Sequence, residues 1–454
     1  MIDGCLWDDP TRVAAKAPDH VSGSSDVIIV GAGFTGLWTA FYLASAAPQS
    51  KIRIVEREHV GFGASGRNGG WSSALLPMSI GSLVERHGID TARASARAMN
   101  DSVVEIRNRA VSFGIGDRVA SGGWLQLAHG EIQMQRLREQ QNEAECLSVP
   151  EALGSLLDAA EARALVDSTD CVGGVFSPHC SALDPGALVR ALGDAVRRLG
   201  VDIVEGVPVL AIEPGRVTTD RGILEAPIVL RATEAFTASL PRMKRAVVPL
   251  YSMMVATEPL PREVIDRLIA PSRPTFNDAR HMIIYGQRTA DDRIAFGGRG
   301  APYHLGSRID PAFDHDRDVA DMLVATLRRM FPVLDDHQFT HHWGGPLAAP
   351  RDWHCSVLFE PSTGLGSAGG YVGDGVTTAN LSGRTLADLV LGVDTERAHL
   401  PWVGHRSRTW EPEPLRWIAI NALTRLASMA DDREARTRKR ARNIEKLLAR
   451  ILGH

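Results

Sequence analysis

The sequence predicts an α/β protein in which a parallel sheet with flanking helices is interrupted by an inserted antiparallel sheet and followed by a helical tail. Three observations predict this fold class. Apolar runs at Val27–Val30 and Ile52–Val55 flank a helical segment, which is typical of buried parallel strands. Alternating segments at Val247–Thr257 and His281–Gly298 indicate a separate antiparallel sheet. From Pro401 onward the pattern is mostly helical and basic.

Composition limits the function classes. The chain has 454 residues, 44% of them hydrophobic and 23% charged, which excludes a mainly disordered, collagenous or coiled-coil protein. A net charge of −4 gives no overall basic field for nucleic acid. The five cysteines are widely spaced without a C-x-x-C pair, so neither a disulfide framework nor a zinc site is indicated. With no secretory signal at the N-terminus, we expect a cytoplasmic protein.

One apolar stretch could be taken for a membrane span. Residues 27–47 carry no charged side chain and are long enough to cross a bilayer. Three glycines, Gly31, Gly33 and Gly36, interrupt the stretch directly after four strand-forming residues. This arrangement predicts a strand, a tight turn and a helix, with no transmembrane segment.

The same glycines match the G-x-G-x-x-G pattern of dinucleotide-binding folds. Gly31 allows the tight turn, Gly33 admits the pyrophosphate and Gly36 lets the helix pack on the strand. The phosphates are expected at the helix N-terminus, where free N–H groups favour anions. Glu56 ends the second strand about 20 residues later, where it is expected to bind a ribose diol and to repel the 2′-phosphate of NADP.

NAD and FAD both fit this pattern, and the next block separates them. ASGRNGG, at Ala64–Gly70, is a loop rich in backbone N–H groups within the same predicted domain. Ser65 and Arg67 are expected to add phosphate contacts, and Asn68 is expected near a ring edge. FAD, with its ribityl chain and ring system, has a use for such a loop; NAD has none.

Several segments now resemble one known family. DVIIVGAGFTGLWTAFYL, VERE, GFGASGRNGGW, EGVPVLAIE, VTTDRGILEAPIVLRATEAFT and GGYVGDGVTTANLSGRTLADLVLG are similar to motifs of the D-amino acid oxidase-type FAD oxidoreductases. That family includes glycine, sarcosine and γ-glutamylputrescine oxidases, the last being nearest in pattern. The resemblance spans most of the chain. It implies a Rossmann-like FAD-binding domain of the glutathione-reductase type with an inserted antiparallel-sheet substrate domain.

The implied domains alternate along the chain. The FAD-binding domain comprises residues 22–80, 151–240 and 336–400, the cap or substrate domain comprises residues 81–150 and 241–335, and residues 401–454 form the helical tail. For the basic tail, a helix packed on its own protein is favoured over a contact with a membrane or a partner.

The motifs and the resemblance together assign a set of residues to FAD. Val209 is expected to hold the adenine through its backbone, Ala232 and Thr233 form the turn beside FAD, and the helix after Gly373 points at the pyrimidine end of the ring. The full set is Gly31, Gly33, Phe34, Thr35, Gly36, Glu56, Arg57, Ala64, Ser65, Arg67, Asn68, Gly69, Gly70, Val209, Ala232, Thr233, Gly370, Tyr371, Gly373, Asp374, Gly375, Val376 and Thr377.

Some positions depart from the family pattern. Arg231 stands in a normally apolar strand end, and Glu234 stands where Gly or Asn is expected. Asp374 stands where simple sarcosine oxidases have His. The position of their FAD-linking Cys corresponds to about His341 rather than Cys355, so we expect non-covalent FAD.

The resemblance implies oxidation of a C–N bond in an amine or amino acid by hydride transfer to flavin N5. The resulting imine hydrolyses, and O2 (giving H2O2) or another acceptor reoxidises the flavin. Arg299 falls at the family's lysine position near N5, where it could hold a substrate carboxylate or assist oxygen. Tyr251, His281 and Tyr285 lie on the expected substrate sheet and are the other catalytic candidates.

Two alternatives stay open at this point: a flavoenzyme that uses NAD(P)H, such as a monooxygenase, and a non-catalytic dinucleotide-binding protein. GLGSAG, at Gly364–Gly369, formally repeats the glycine pattern, but no helix and acidic strand follow it, which predicts a turn and a strand. No oligomeric state is predicted.

Overall fold

The computed structural model describes residues 1–9, 11, 16–76, 78–149, 154–445 and 447. The strands are β1 (Ile2–Asp3), β2 (Val27–Val30), β3 (Ile52–Val55), β4 (Trp71–Ser73), β5 (Val119–Ala120), β6 (Trp124–His129), β7 (Ser155–Asp158), β8 (Cys171–Ser177), β9 (Cys180–Leu183), β10 (Asp202–Val204), β11 (Val209–Glu213), β12 (Arg216–Thr219), β13 (Gly222–Glu225), β14 (Ile228–Arg231), β15 (Val248–Thr257), β16 (Thr275–Asp278), β17 (Ile284–Arg288), β18 (Ile294–Gly298), β19 (Phe339–Ala349), β20 (Ser356–Glu360) and β21 (Leu365–Gly369). The α-helices are α1 (Phe34–Ala46), α2 (Ala64–Arg67), α3 (Ile80–His87), α4 (Ile89–Ser112), α5 (Glu131–Cys146), α6 (Ala159–Leu165), α7 (Pro185–Arg198), α8 (Arg262–Leu268), α9 (Arg317–Met330), α10 (Gly375–Leu391) and α11 (Leu415–Thr437).

A six-stranded sheet confirms the predicted parallel core. Its strand order is β10-β3-β2-β14-β21-β20, and every neighbouring pair is parallel except β20 with β21. The four residues of β2 are all buried, as a continuous apolar run predicts. Val30 is in register with Val55 on one side and with Arg231 on the other. The turns after β2, β3 and β14 therefore meet at one edge of the sheet.

Both faces of this sheet are covered. The helices α1 and α10 pack closely, because Gly383 offers no side chain toward Trp38: a Cβ there would lie 2.8 Å from the Trp38 Cβ. The other face is apolar as well, with Ile28, Val30 and Val229 packed against the small sheet β11-β12-β13. Helix α7 begins with Asp184 as its N-cap and Pro185 in the first turn.

The inserted antiparallel sheet is confirmed in a larger form. It has nine strands in the order β1-β19-β15-β18-β17-β16-β6-β8-β7, with parallel pairing only at β1–β19 and β16–β6 among the described strands. The segment predicted at 247–257 is β15, and the segment at 281–298 is the hairpin β17–β18. Helices α8 and α9 cover one face with apolar side chains such as Ile265 and Leu323. The segment GLGSAG is a turn and β21, as predicted.

The tail needs one correction. The sequence pattern predicts mostly helix from Pro401 onward, whereas α11 begins only at Leu415. At the other end of the chain, β1 pairs with β19, and Trp7 is 5% exposed. Neither feature has a strong periodicity in the sequence, so tertiary contacts decide both.

The domain boundaries stay a prediction. Strands β7 and β8 follow the predicted boundary at residue 150, yet they pair with the nine-stranded sheet.

In the part of the chain that the structure describes, no helix is both long enough and apolar enough to cross a membrane.

Candidate active site

The glycine motif opens onto a cavity of about 150 Å³ at the carboxyl edge of the parallel sheet. Gly31 has φ +108°, and a Cβ there would lie 2.5 Å from the Ala232 carbonyl oxygen, so no other residue fits. The first residues of α1 face the cavity with N–H groups that have no partner within the helix. The predicted residues that line it are Gly31, Gly33, Phe34, Thr35, Glu56, Arg57, Ala64, Ser65, Val209, Ala232 and Thr233.

Glu56 closes one end of this cavity, as the spacing predicted. Its Oε2 accepts from the Ala32 N–H at 2.7 Å, and its Oε1 accepts from the Glu58 N–H at 2.9 Å. Burial raises the pKa of Glu56, and these two N–H groups oppose the shift. The carboxylate thus fixes the glycine turn while it lines the cavity.

The ASGRNGG loop forms a helical turn, α2, whose side chains mostly serve the loop itself. Ser65 Oγ accepts from the Phe34 N–H at 2.8 Å. Asn68 donates to the Ala64 and Ser65 carbonyls and accepts from the Gly70 N–H, and its place at a ring edge stays a prediction. Its side-chain polar atoms are thereby engaged within the loop.

Arg67, whose phosphate contact stays a prediction, has an anionic partner within the protein. Its guanidinium forms an ion pair with Asp314 at 2.5 Å and lies over the Phe62 ring. Both charged side chains are largely buried, so the pair neutralises a charge that would otherwise be costly inside the protein. Arg67 also lines a second cavity, which lies next to the first.

Three residues that the sequence reasoning missed hold this loop from outside. Gln287 Nε2 donates to the carbonyls of Gly69 at 2.7 Å and Gly70 at 3.3 Å. Trp7 Nε1 donates to the Asn68 carbonyl at 2.9 Å, and Trp343 Nε1 donates to the Arg67 carbonyl at 2.8 Å. Gln287 could have been found, because it lies two residues after Tyr285 and therefore on the same face of the strand.

A second cavity, of about 310 Å³, continues from the first. Both are lined by Phe34, Thr35, Ala64, Ser65, Glu234 and Pro346. The second cavity extends to Gly373 and to the first residues of α10, namely Gly375 and Val376. The two glycine clusters, which lie far apart in the sequence, thus border one continuous cleft, with a helix N-terminus at each end.

Glu234 lies where these cavities meet, at a position where the family pattern has a small or neutral residue. Its Oε1 accepts from the N–H groups of Gly370 at 2.9 Å and Tyr371 at 3.2 Å. Burial raises its pKa to about 7, which these N–H groups and Arg231 oppose. Glu234 therefore ties the turn after β14 to the turn before α10.

Arg299 and Asp374 are two of the charged residues that line the second cavity. Arg299 Nη2 donates to the Val372 carbonyl at 2.6 Å, and the guanidinium lies over the Trp353 ring. Burial lowers the pKa of Arg299, and Asp374 opposes that shift. Burial raises the pKa of Asp374 to about 6, which Arg299 opposes. The structure thus places Arg299, which the family pattern singled out, in the lining of this cavity.

The remaining walls of the second cavity are largely apolar. Trp71, Met254, Ile283 and Leu347 line it. Tyr285 lines it too, with its hydroxyl 2.8 Å from Ser252 Oγ, and burial raises its pKa, so the phenol stays neutral. At the far side, the buried carboxylate of Asp278 is paired with Arg280, and both residues also line the cavity.

The other two catalytic candidates lie elsewhere. Tyr251 lines neither of the two cavities. Its hydroxyl accepts from the Asp310 N–H, and its ring packs against Phe313. His281 contacts Glu434 of α11 and Arg136. Among the predicted cofactor residues, four do not line the cleft: Gly36, Gly70, Gly370 and Thr377. Gly36 has the close packing predicted for it, since a Cβ there would lie 2.0 Å from the Gly31 carbonyl oxygen.

Comparison with known proteins decides the family. Residues 26–389 match the DAO family model, described as FAD dependent oxidoreductase. The chain belongs to the DAO family. It is 30% identical over 394 residues to gamma-glutamylputrescine oxidoreductase of Escherichia coli strain K12, covering 84% of this chain and 88% of the relative. It is 25% identical over 378 residues to glycine oxidase of Bacillus licheniformis, covering 81% of this chain and 93% of the relative.

Solved structures show the same fold as this DAO family member. L-proline dehydrogenase from P. horikoshii aligns with a TM-score of 0.69 at 20% identity, over 84% of this chain and 96% of that one. Glycine oxidase from Geobacillus kaustophilus aligns with a TM-score of 0.66 at 22% identity, over 82% and 96%. The predicted family and fold class are confirmed.

The DAO family uses FAD, and the cleft fits it. A helix N-terminus at each end suits an anionic pyrophosphate and an electron-rich ring edge. Trp71 Nε1 is buried and finds no acceptor among the described residues, as expected where a bound group supplies one. Neither Cys355 nor His341 lines the cleft, in keeping with non-covalent FAD.

Proposed function

We propose that this enzyme oxidises the C–N bond of an amine or amino acid that carries a carboxylate. The observation that carries the proposal is the position of Arg299 beside Asp374 in an apolar cavity that continues from the FAD cleft. Arg299 presents a planar group suited to two-point recognition of a carboxylate. The relatives named for γ-glutamylputrescine and glycine act on substrates of this class.

The residues of the cavity favour the reactive form of an amine. Apolar walls such as Met254 and Leu347 exclude water, which lowers the pKa of a bound ammonium group and favours the free amine. The N–H groups at the start of α10 stabilise negative charge that develops beside them. When bound, FAD would accept one hydride, which carries both electrons, from the carbon next to the amine nitrogen. The imine then hydrolyses, and O2 or another acceptor completes the cycle.

An anaerobic screen of amines and amino acids tests the proposal. Loss of flavin absorbance with a carboxylated amine, in the absence of NADPH, is the expected result. Bleaching with NADPH alone would instead identify an NAD(P)H-using flavoenzyme, and a protein that takes up no FAD would contradict both functions. The cytoplasmic location stays a prediction.

Arg299 provides the sharper test. Arg299→Gln is expected to lower kcat/KM for the carboxylated substrate by roughly a hundredfold or more, because a buried charge-assisted pair is lost. Arg299→Lys keeps the positive charge but loses the planar, two-point donor geometry of the guanidinium. Its kcat/KM should therefore lie between those of the wild-type enzyme and Arg299→Gln. FAD content, measured by absorbance, serves as the control and should be unchanged. Equal kcat/KM in all three proteins would show that Arg299 does not bind the substrate.

A further inference from the structure

A third cavity lies behind the FAD cleft and belongs to neither the cofactor nor the substrate site. Its volume is about 560 Å³, within the size range of small-molecule pockets. It is bordered by β11, by the end of β14, by residues 240–243 and by the β20–β21 hairpin. Leu240 is the one described residue that lines both this cavity and the FAD cleft.

Arg231 is the residue that marks this cavity. The sequence singled it out because it stands where an apolar strand residue is expected, and the FAD cleft does not use it. It is half-buried at the end of β14 and lines the cavity. Its Nη1 donates to Thr237 Oγ1 at 2.7 Å, and no carboxylate among the described residues forms an ion pair with it. Burial lowers its pKa to about 10, and Glu234 opposes this from a distance.

Glu234 does not neutralise Arg231 by direct contact. Its carboxylate accepts from the N–H groups of Gly370 and Tyr371 on the other side of the turn. A half-buried cation without a direct anionic partner loses part of its hydration, so an anion placed beside it would be bound favourably.

The rest of the cavity adds positive charge and apolar surface. Arg242 and Arg406 are exposed at its border, and Leu240, Met243 and Leu358 form apolar walls. Two acids also border it. Glu213 is exposed, while the Oε1 of Glu360 is engaged by Ser362. Neither of these acids pairs with any of the three arginines among the described ion pairs.

We propose that this rear cavity, bordered by Arg231, Arg242 and Arg406, binds a small organic carboxylate with an apolar body. The carboxylate meets the Arg231 guanidinium, and the body lies on the leucine and methionine side chains. The site is connected to the cofactor cleft, because Thr237 Oγ1 also lies 2.8 Å from Oγ1 of Thr233, which lines that cleft. This inference does not depend on which amine the enzyme oxidises.

Calorimetric titration of the FAD-loaded enzyme with hexanoate tests the site. Because Arg299 could bind hexanoate in the catalytic cavity, the titration is done in the Arg299→Gln protein. Binding should persist there, and the added change Arg231→Leu should weaken it by roughly tenfold or more. Leucine restores the apolar character that the strand end has in the family pattern.

A second variant covers failure of Arg231→Leu to fold. Arg242→Ser combined with Arg406→Ser changes only exposed side chains and should also weaken hexanoate binding. The proposal is overturned if Arg299→Gln alone abolishes binding, if neither rear-cavity variant weakens it, or if hexanoate competes with FAD. Inorganic phosphate that binds as tightly as hexanoate would overturn the assignment to an organic carboxylate.

Discussion

The two ends of the FAD cleft are built on different principles. At the Glu56 end, one continuous segment of about 25 residues supplies the turn, the helix N-terminus and the acid, and backbone groups do most of the work. At the Gly373 end, charged and aromatic side chains come from β4, from β16, from β17, from the residue after β18 and from the turn before α10. The first end is built within one segment of the chain, whereas the second is assembled from distant segments.

The largest expected effect comes from breaking the local end. Gly31→Ala places a Cβ 2.5 Å from the Ala232 carbonyl oxygen. Because backbone must move, we expect the free energy of unfolding to fall by about 3 kcal/mol or more and FAD to be lost. Chemical denaturation and flavin absorbance measure the two effects.

Gly215→Ala is the matched control for that change. Gly215 also has a positive φ, +76°, but a Cβ there meets no atom within 4 Å. It isolates the cost of the left-handed backbone, about 1 kcal/mol, from the cost of the clash. Retention of FAD by Gly31→Ala at the level of Gly215→Ala would show that the glycine turn does not hold the cofactor.

A medium effect is expected at the assembled end, where Asp374 lies beside Arg299. Asp374 has a pKa raised to about 6, so it ionises as the pH rises through that value and then competes for Arg299. Binding of benzoate, which stays ionised above about pH 5, should therefore tighten several-fold as the pH falls through 6. Inhibition constants measured across this range in the wild-type enzyme and in Asp374→Asn check this, and the variant should show no step.

Another carboxyl complicates that experiment and provides its control. Glu234 also lines the cavity, and its pKa is raised to about 7, whereas the pKa of Asp278 is lowered, so Asp278 stays ionised. Glu234→Gln removes the higher titration and should leave the step near pH 6. If the step disappears in Glu234→Gln and survives in Asp374→Asn, the pH dependence belongs to Glu234, and the prediction for Asp374 is wrong.

The smallest effect is expected where the N-terminal segment reaches the loop between the two ends. Trp7→Phe removes the hydrogen bond to the Asn68 carbonyl, worth about 1 kcal/mol, and should weaken FAD binding several-fold. Titration of the apoprotein with FAD measures it. Trp343→Phe should act similarly, whereas Trp410→Phe, which loses a bond to the Ala349 carbonyl outside this loop, should not. Equal affinities in all four proteins would leave Trp7 with no part in holding the loop.

The sequence by itself determined the local end almost completely. The strand, the glycines, the helix and Glu56 lie within one segment, so spacing along the chain equals placement in space, and the family motifs extended this to the turns at Ala232 and Gly373. Only the tertiary structure decided which partner each polar side chain contacts. Arg67 pairs with Asp314, and His281 contacts Glu434. Trp7 and Gln287, from distant segments, donate hydrogen bonds to the loop at 64–70. The physical reason is that burial makes each polar group find a partner, and such partners are neighbours in space rather than in the chain.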